Sequence, residues 1–286
     1  MGSLNSAWKM TLSGLIWAWL CISAVAVVPL TEAPIPQRMA LADCVVVGKV
    51  VELESEMVEA FPLLKLAGSA KLSYRISVVA VDSSLIGEPG LTKIRVGFVA
   101  PPPGQENAPR FRRLAKIKLS VGRQGCFFLR KHPDESFLVA EDAESLMDKA
   151  VVKEFDKGLE LARRCSTLLK KPSAGLTSKN AEDRWLIAAA LIYRYRSPRF
   201  AYKGAPKTEA VDVTESAAVL AALYETDWSE ETAEKQLSPL RLFVRLGLTE
   251  QDGWISPGSA KDWPAAARTW LKEKGSSYRI QRFVPE

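Results

Sequence analysis

The sequence predicts an α+β protein in which a small β-barrel precedes a helical domain. Between Asp43 and about Ala140, β-branched and aromatic runs alternate with polar residues at a period of two, broken by Gly, Pro and polar turns. After Ala143 the apolar residues recur at three- and four-residue spacing, which is helical. A length of 286 residues, 47% apolar and 25% charged, is enough to bury the core that both halves need.

The opening segment differs from everything after it. A short polar start with Lys9 leads into an apolar run from Met10 to Leu30 containing Trp17, Trp19 and Leu20, the pattern of a secretory signal peptide over residues 1–33. Small residues at Ala24 and Ala26, or at Thr31 and Ala33, offer cleavage after Ala26 or after Ala33. A run of roughly 20 apolar residues is also long enough to remain as a single-pass N-terminal membrane anchor. Pro29 and the small residues favour cleavage, and Ala18-Trp19-Leu20 before Cys21 is too bulky for lipoprotein processing. No later segment has the apolar length of a transmembrane helix, so the body is expected in the periplasm, at the cell surface or outside the cell.

Five or six strands fit residues 38–142. Cys44 to Leu53 is valine-rich, with Gly48 marking a bend or bulge. Leu72 to Val81 and Leu91 to Val99 alternate strictly, and Lys116 to Val121, Cys126 to Arg130 and Ser136 to Ala140 complete the set, the last two joined by Lys131-His132-Pro133-Asp134. Such a series closes into a small barrel. Glu54 to Lys71 and the Pro-rich stretch Ala100 to Pro109 are expected as surface excursions.

Residues 143–286 hold the helices. The first is expected from Ala143 to about Lys171 with Pro172 ending it, and the second from Asn180, an N-cap, to Arg196. The second is apolar on nearly every face from Trp185 to Ile192, which places it at the centre of a core. A third covers Thr214 to Tyr224, a fourth runs from Ser238 to Leu246 with Gly247 as its stop, and a fifth from Trp263 to Lys274 lies between Asp262 and Gly275. Ser277 to Val284 is extended, and no internal repeat shows.

A net charge of +6 favours anionic partners while falling short of a dedicated nucleic-acid binder. The densest basic run is Arg110, Arg112, Arg113, Lys116, Lys118, Arg123, Arg130 and Lys131, with no acid between Asn107 and Pro133. Lys116 and Lys118 alternate with Ile117 and Leu119, so with Arg110, Arg112 and Arg113 they form a candidate anion-binding face for a polyanionic ligand. The competing reading is a strand edge kept charged against aggregation. Cys44, Cys126 and Cys165 remain after cleavage, leaving open one disulfide among the three or three small buried hydrophobes. Their dispersal argues against zinc, and no metal or other cofactor is expected. His132 is the one histidine, so a Ser-His-Asp triad would have to use it. The acids Asp134 and Glu135, and Glu141, Asp142 and Glu144, suit turns and a helix start better than catalysis. Trp254 and Trp263 could stack sugars but more naturally plug a helical core.

Three stretches carry a resemblance to a known module. They are Ala42-Asp43-Cys44-Val45-Val46-Val47-Gly48-Lys49-Val50, then Tyr74-Arg75-Ile76-Ser77-Val78 through Leu85-Ile86-Gly87, then Gly122-Arg123-Gln124-Gly125-Cys126-Phe127-Phe128-Leu129. In this order they resemble the netrin-like OB-fold modules, the class that includes the N-terminal domain of tissue inhibitors of metalloproteinases. The resemblance implies an OB-like barrel over residues 38–142. Inhibitors of that class act through a mature N-terminal Cys, and no Cys lies near either cleavage site here. As a whole the chain also resembles exported proteins of planctomycete-type bacteria, through the Ala-Asp-x-Val-Val-Val-Gly-Lys-Val strand, Ser178 to Arg184, Leu246-Gly247-Leu248-Thr249 with Asp252-Gly253-Trp254, and Tyr278 to Phe283. This second likeness implies architecture and compartment alone.

With no catalytic constellation in view, the expected function is a non-enzymatic exported binding or interaction protein whose partner is a protein or a polyanion. Protease inhibition through the barrel rim and polyanion binding through the basic segment are the specific alternatives.

Overall fold

Strand β1 (Cys44–Ala60) is buried on both faces over its first four residues, which explains an unbroken apolar run where alternation would be the norm. Cys44, Val46 and Val50 point to one core with Val79, Ile94, Val96, Phe98, Phe127 and Leu129. Val45 and Val47 point the opposite way, into a second core with Met39, Cys126, Phe128, Phe155, Leu159 and Cys165. The computed structural model describes residues 33–63, 68–101, 104, 117–198, 206–229 and 237–285. The signal-peptide or anchor segment, apart from Ala33, lies outside the described residues, as do most of the Pro-rich stretch and Arg110, Arg112, Arg113 and Lys116.

The protein is α+β. Strands β2 (Leu72–Ile86), β3 (Lys93–Val99), β4 (Gln124–Lys131), β5 (Leu138–Val139) and β6 (Leu146–Asp148) join β1 in one sheet of order β1-β2-β3-β5-β4-β6. β1 pairs antiparallel with both β2 and β4, while β3 and β5 pair in parallel, so the hydrogen-bonded neighbours run in a ring. Gly48 faces Gly125 across the β1–β4 pair. A Cβ on Gly48 would strike the Ala80 carbonyl and one on Gly125 the Met147 carbonyl, so only hydrogen permits this approach.

The sheet departs from expectation in two places. β1 runs on to Ala60 where a surface excursion was expected, pairing Met57 with Arg75 and Ala60 with Leu72. Its register shifts between Val50 and Glu52 and between Leu53 and Met57 interrupt the ladder, and its exposed glutamates hide the strand pattern. Ile117 to Ser120, expected as a strand, form none, yet the alternation has a cause. Ile117 and Leu119 are buried among the residues inside the ring, while Lys118 and Ser120 face solvent.

The helical residues pack around and beyond this sheet. Helix α1 (Ile35–Leu41), absent from the sequence-based expectation, puts Met39 in the core against the sheet and Ala40 in the purely helical core. Helix α2 (Phe155–Lys170) starts twelve residues later than expected, because residues 143–154 do other work. Asp142 caps a short 3-10 turn at Ala143–Ser145, and Leu146–Asp148 then pair with β4. Helices α3 (Pro172–Leu176), α4 (Ala181–Arg196), α5 (Val213–Glu225), α6 (Pro239–Arg245) and α7 (Trp263–Lys274) follow. Asn180, Asp212 and Ser238 cap α4, α5 and α6, each accepting from a first-turn backbone N–H.

Leu186 through Tyr193 on α4 are all buried, as expected of a central helix. Around them Phe243, Trp254 and Trp270 meet edge to face, with Phe243 4.8 Å from Trp254 and 5.7 Å from Trp270. Trp254 is 7% exposed and Trp263 packs on its edge at 5.7 Å, so these rings close the helical core and present no sugar platform. The extended C-terminal segment forms β8 (Gln281–Phe283), paired with β7 (Thr208–Ala210). Arg196 fastens it, donating to Gln281 O at 2.9 Å and to Arg245 O at 3.2 Å with its guanidinium over the Phe283 ring. Among the described residues no helix is long and apolar enough to cross a membrane.

Candidate anion-binding hollow

One end of the sheet carries an open hollow of about 780 Å³. Its floor is the turn Ser120 to Arg123, which the backbone clamps onto β1: Gly122 N–H donates to Val50 O at 2.9 Å and Val50 N–H to Arg123 O at 2.8 Å. Gly122 sits at φ +94°, the left-handed geometry such a turn needs. The opposite wall is the segment after β6, where Lys149 N–H bonds Gln124 O at 2.9 Å.

Of the five residues expected on an anion-binding face, Lys118 alone falls within the described residues. It is exposed and lines this hollow with Arg123 and Lys149. The lining holds a single carboxylate, Asp148, which is 6% exposed. Asp148 accepts from Arg123 Nε at 2.7 Å and, through its other oxygen, from Ala150 N–H at 2.8 Å. Arg123 also reaches the Lys118 carbonyl. The acid is thus neutralised inside the wall, while Lys118 and Lys149 make no ion pair among the described residues. Val121, 59% exposed, and Val151, 71% exposed, flank the cations. An aliphatic rim around unpaired ammonium groups can hold an anion by charge and pack against its carbon skeleton.

Of the other described residues of the basic run, Arg130 and Lys131 do not gather here. Arg130 lies at the far end of β4 and pairs with Glu141 at 3.1 Å, and Lys131 lines a different concavity. Lys149 and Asp148 were not visible as partners of Lys118, because helical spacing across residues 143–171 concealed β6.

The other candidate residues take structural roles. His132 is 1% exposed and both ring nitrogens are committed: Nδ1 accepts from Asp134 N–H at 3.1 Å, so Nε2 carries the proton and donates to Phe61 O at 2.8 Å. With Phe137 at 5.1 Å and Tyr74 at 6.0 Å it fills one end of the sheet and has no free nitrogen for general-base work. Asp142 accepts from Glu144 N–H at 2.9 Å, and Glu144 accepts from Ala33 N–H at 3.0 Å. Among the described residues no group of three His, Cys, Asp or Glu could hold a metal ion.

The disulfide considered among Cys44, Cys126 and Cys165 is absent, and all three are buried free thiols. Cys44 points inside the ring and Cys126 out toward the helices, so the sheet itself separates these two. Burial pushes Cys44 up to about 11 and Cys126 and Cys165 up to about 12. Compared with family models and with curated proteins, the chain matches none.

Proposed function

We propose that the chain is an exported, non-enzymatic binding protein of the periplasm or cell surface, built on an OB-like barrel that takes up polyanions in the hollow beside Lys118. The pairing order β1-β2-β3-β5-β4 returning to β1, with β3 and β5 parallel, supports the OB-like reading and the likeness to netrin-like modules. The observation that carries the function is the unbalanced charge of the hollow: Lys118 and Lys149 face solvent while its one carboxylate is spent on Arg123.

A heparin column tests it. Lys118→Glu combined with Lys149→Glu is expected to weaken retention by about thirtyfold in affinity at about 0.1 M salt and to flatten its salt dependence. Unchanged elution would end the proposal. Inhibition through a terminal cysteine finds no support, since Cys44 is 5% exposed and follows α1 in the chain.

Two hydrogen bonds bear on where an exported chain would be cut. Ala33 N–H donates to Glu144 and Ala33 O accepts from Arg38 Nε at 2.7 Å, and removal of Ala33 would cost the half-buried acid and the buried guanidinium one hydrogen bond each. Cleavage after Ala26 keeps both contacts. Intact mass of the secreted protein is therefore expected to match a chain starting at Val27. A chain starting at Pro34 would refute that assignment, and a full-length mass in the membrane fraction would replace export with anchoring.

A further inference from the structure

A second concavity, of about 490 Å³, opens on the rim of the sheet between the start of β1, the β2–β3 turn and the β4–β5 turn. Its setting is a gap in the ring. β5 is two residues long and meets β3 at Val96 and Gly97, so among the described residues the edge of β3 from Lys93 to Arg95 has no strand beside it.

The orientation of that edge follows from the ladder. Val81 N–H donates to Thr92 O at 2.9 Å, which makes Thr92 a residue bonded to β2. In an antiparallel pair the next residue along faces the other way, so Lys93, opposite Ala80, and Arg95, opposite Val78, direct their peptide groups away from β2. The parallel bridge of Val96 with Leu138 takes up the Arg95 carbonyl, which leaves the N–H and C=O of Lys93 and the N–H of Arg95 toward the gap. Three backbone groups thus stand ready on an edge that natural sheets usually cover.

The concavity beside the edge is apolar below, with Leu91, Phe137 and Leu138 in its lining, and charged above. Three acids, Asp43, Glu88 and Glu135, face three bases, Lys93, Arg95 and Lys131, so the rim has no sign to offer a polyanion. Arg95 is held aside in a bidentate pair with Glu54, both contacts at 2.7 Å, and it also donates to Ser136 Oγ at 3.2 Å. The hydrogen bond from Arg95 keeps the Glu54 carboxyl below the usual carboxylate range, so this bridge persists at neutral pH.

We propose that this rim binds an extended peptide segment by strand addition: the segment pairs its backbone with Lys93 and Arg95 on the free edge of β3 and lowers one aliphatic side chain over Leu91, Phe137 and Leu138. A balanced rim suits a partner of low net charge, and alternate side chains of such a strand point away from the protein, so recognition rests on the backbone and one apolar residue. This site is separate from the basic hollow and does not depend on it.

The test uses the full secreted chain and a dye-labelled, end-capped heptapeptide of alternating threonine and valine, followed by fluorescence anisotropy and by amide hydrogen exchange. Saturable binding is expected, with slowed exchange at Lys93 and Arg95. The same peptide N-methylated at alternate amides is expected to bind at least about tenfold more weakly, since loss of its donor strands the Lys93 carbonyl on the edge. Lys93→Pro is expected to give a similar loss, because the N–H it deletes faces the gap and not β2. The N-methylated probe keeps the test decisive even where that variant folds poorly. Absence of binding at about 1 mM peptide, the weak limit of specific recognition, equal affinity for the N-methylated probe, or competition by a heparin oligosaccharide would each overturn strand addition. None of these outcomes touches retention through Lys118 and Lys149.

Discussion

A chain carrying Phe127→Ala is expected to unfold with about 4 kcal/mol less stability than the parent, the largest loss of any single truncation in the sheet. Phe127 has no exposed surface and sits inside the ring with Val46, Val96 and Leu129. Its strand position faces Val46 on β1 on one side and Leu146 on β6 on the other. Neighbours held by ladders on both sides cannot collapse into the space left behind, so the cavity cost adds to the lost transfer energy. Urea unfolding checks this through a lowered midpoint at unchanged slope. A loss under about 1 kcal/mol would mean that the interior is not packed around this ring, while Lys118→Ala, on the surface, is expected to stay within about 0.5 kcal/mol of the parent.

The second large effect belongs to the thiols. Against an ordinary value of 9.0, Cys126 and Cys165 are both pushed up to about 12 by burial between the sheet and α2. In native protein at mild alkaline pH their thiolate fraction falls about a thousandfold below that of a free thiol, and alkylation is expected to slow accordingly. The same displacement makes stability depend on pH. The unfolded chain ionises these groups from about pH 9 while the folded chain keeps them protonated, so their contribution is full below that pH and is lost as pH rises toward about 12. For each thiol the whole displacement amounts to about 4 kcal/mol at most. Tyr74 and Tyr278 are also pushed up to about 12 but begin from 10.0, so the interval from pH 9 to 10 isolates the cysteines. A double Cys126→Ala, Cys165→Ala variant is expected to show a flatter stability curve over that interval. An identical curve would place the alkaline sensitivity elsewhere.

What could be seen in the sequence was what local chemistry decides. Asn180 and Ser238 announce their helices because a side-chain oxygen satisfies a first-turn N–H wherever the chain goes next. The run from Trp185 to Ile192 announces a central helix because no face of it tolerates water. β7 and β8 were not legible as a pair, since three residues at Thr208 gain their strand character only from partners more than seventy positions away. The same holds for Leu146 to Asp148, whose helical spacing gives way to three pairings with β4. In the hollow, Lys118 was visible through its alternation with Ile117 and Leu119. Lys149 was not, because what brings it there is the β6 ladder and not its own neighbours.

The closure of the helical core by the segment at Ile280 bears on when this chain can fold. Ile280 has no exposed surface, its N–H donates to Ser216 Oγ at 3.1 Å, and Arg279 Nε donates to Val211 O at 2.9 Å. The groove between α4 and α5 is therefore incomplete until residues 279–283 have emerged, whether from a ribosome or from a translocation pore. Ring closure through the β1–β4 pair likewise awaits a strand some eighty residues downstream, as in the register of Cys44 with Leu129. Both long-range closures carry loop entropy that must be spent before their contacts form, which slows folding. A chain arranged this way stays loose until its last residues are in place and gains its stability late and all together.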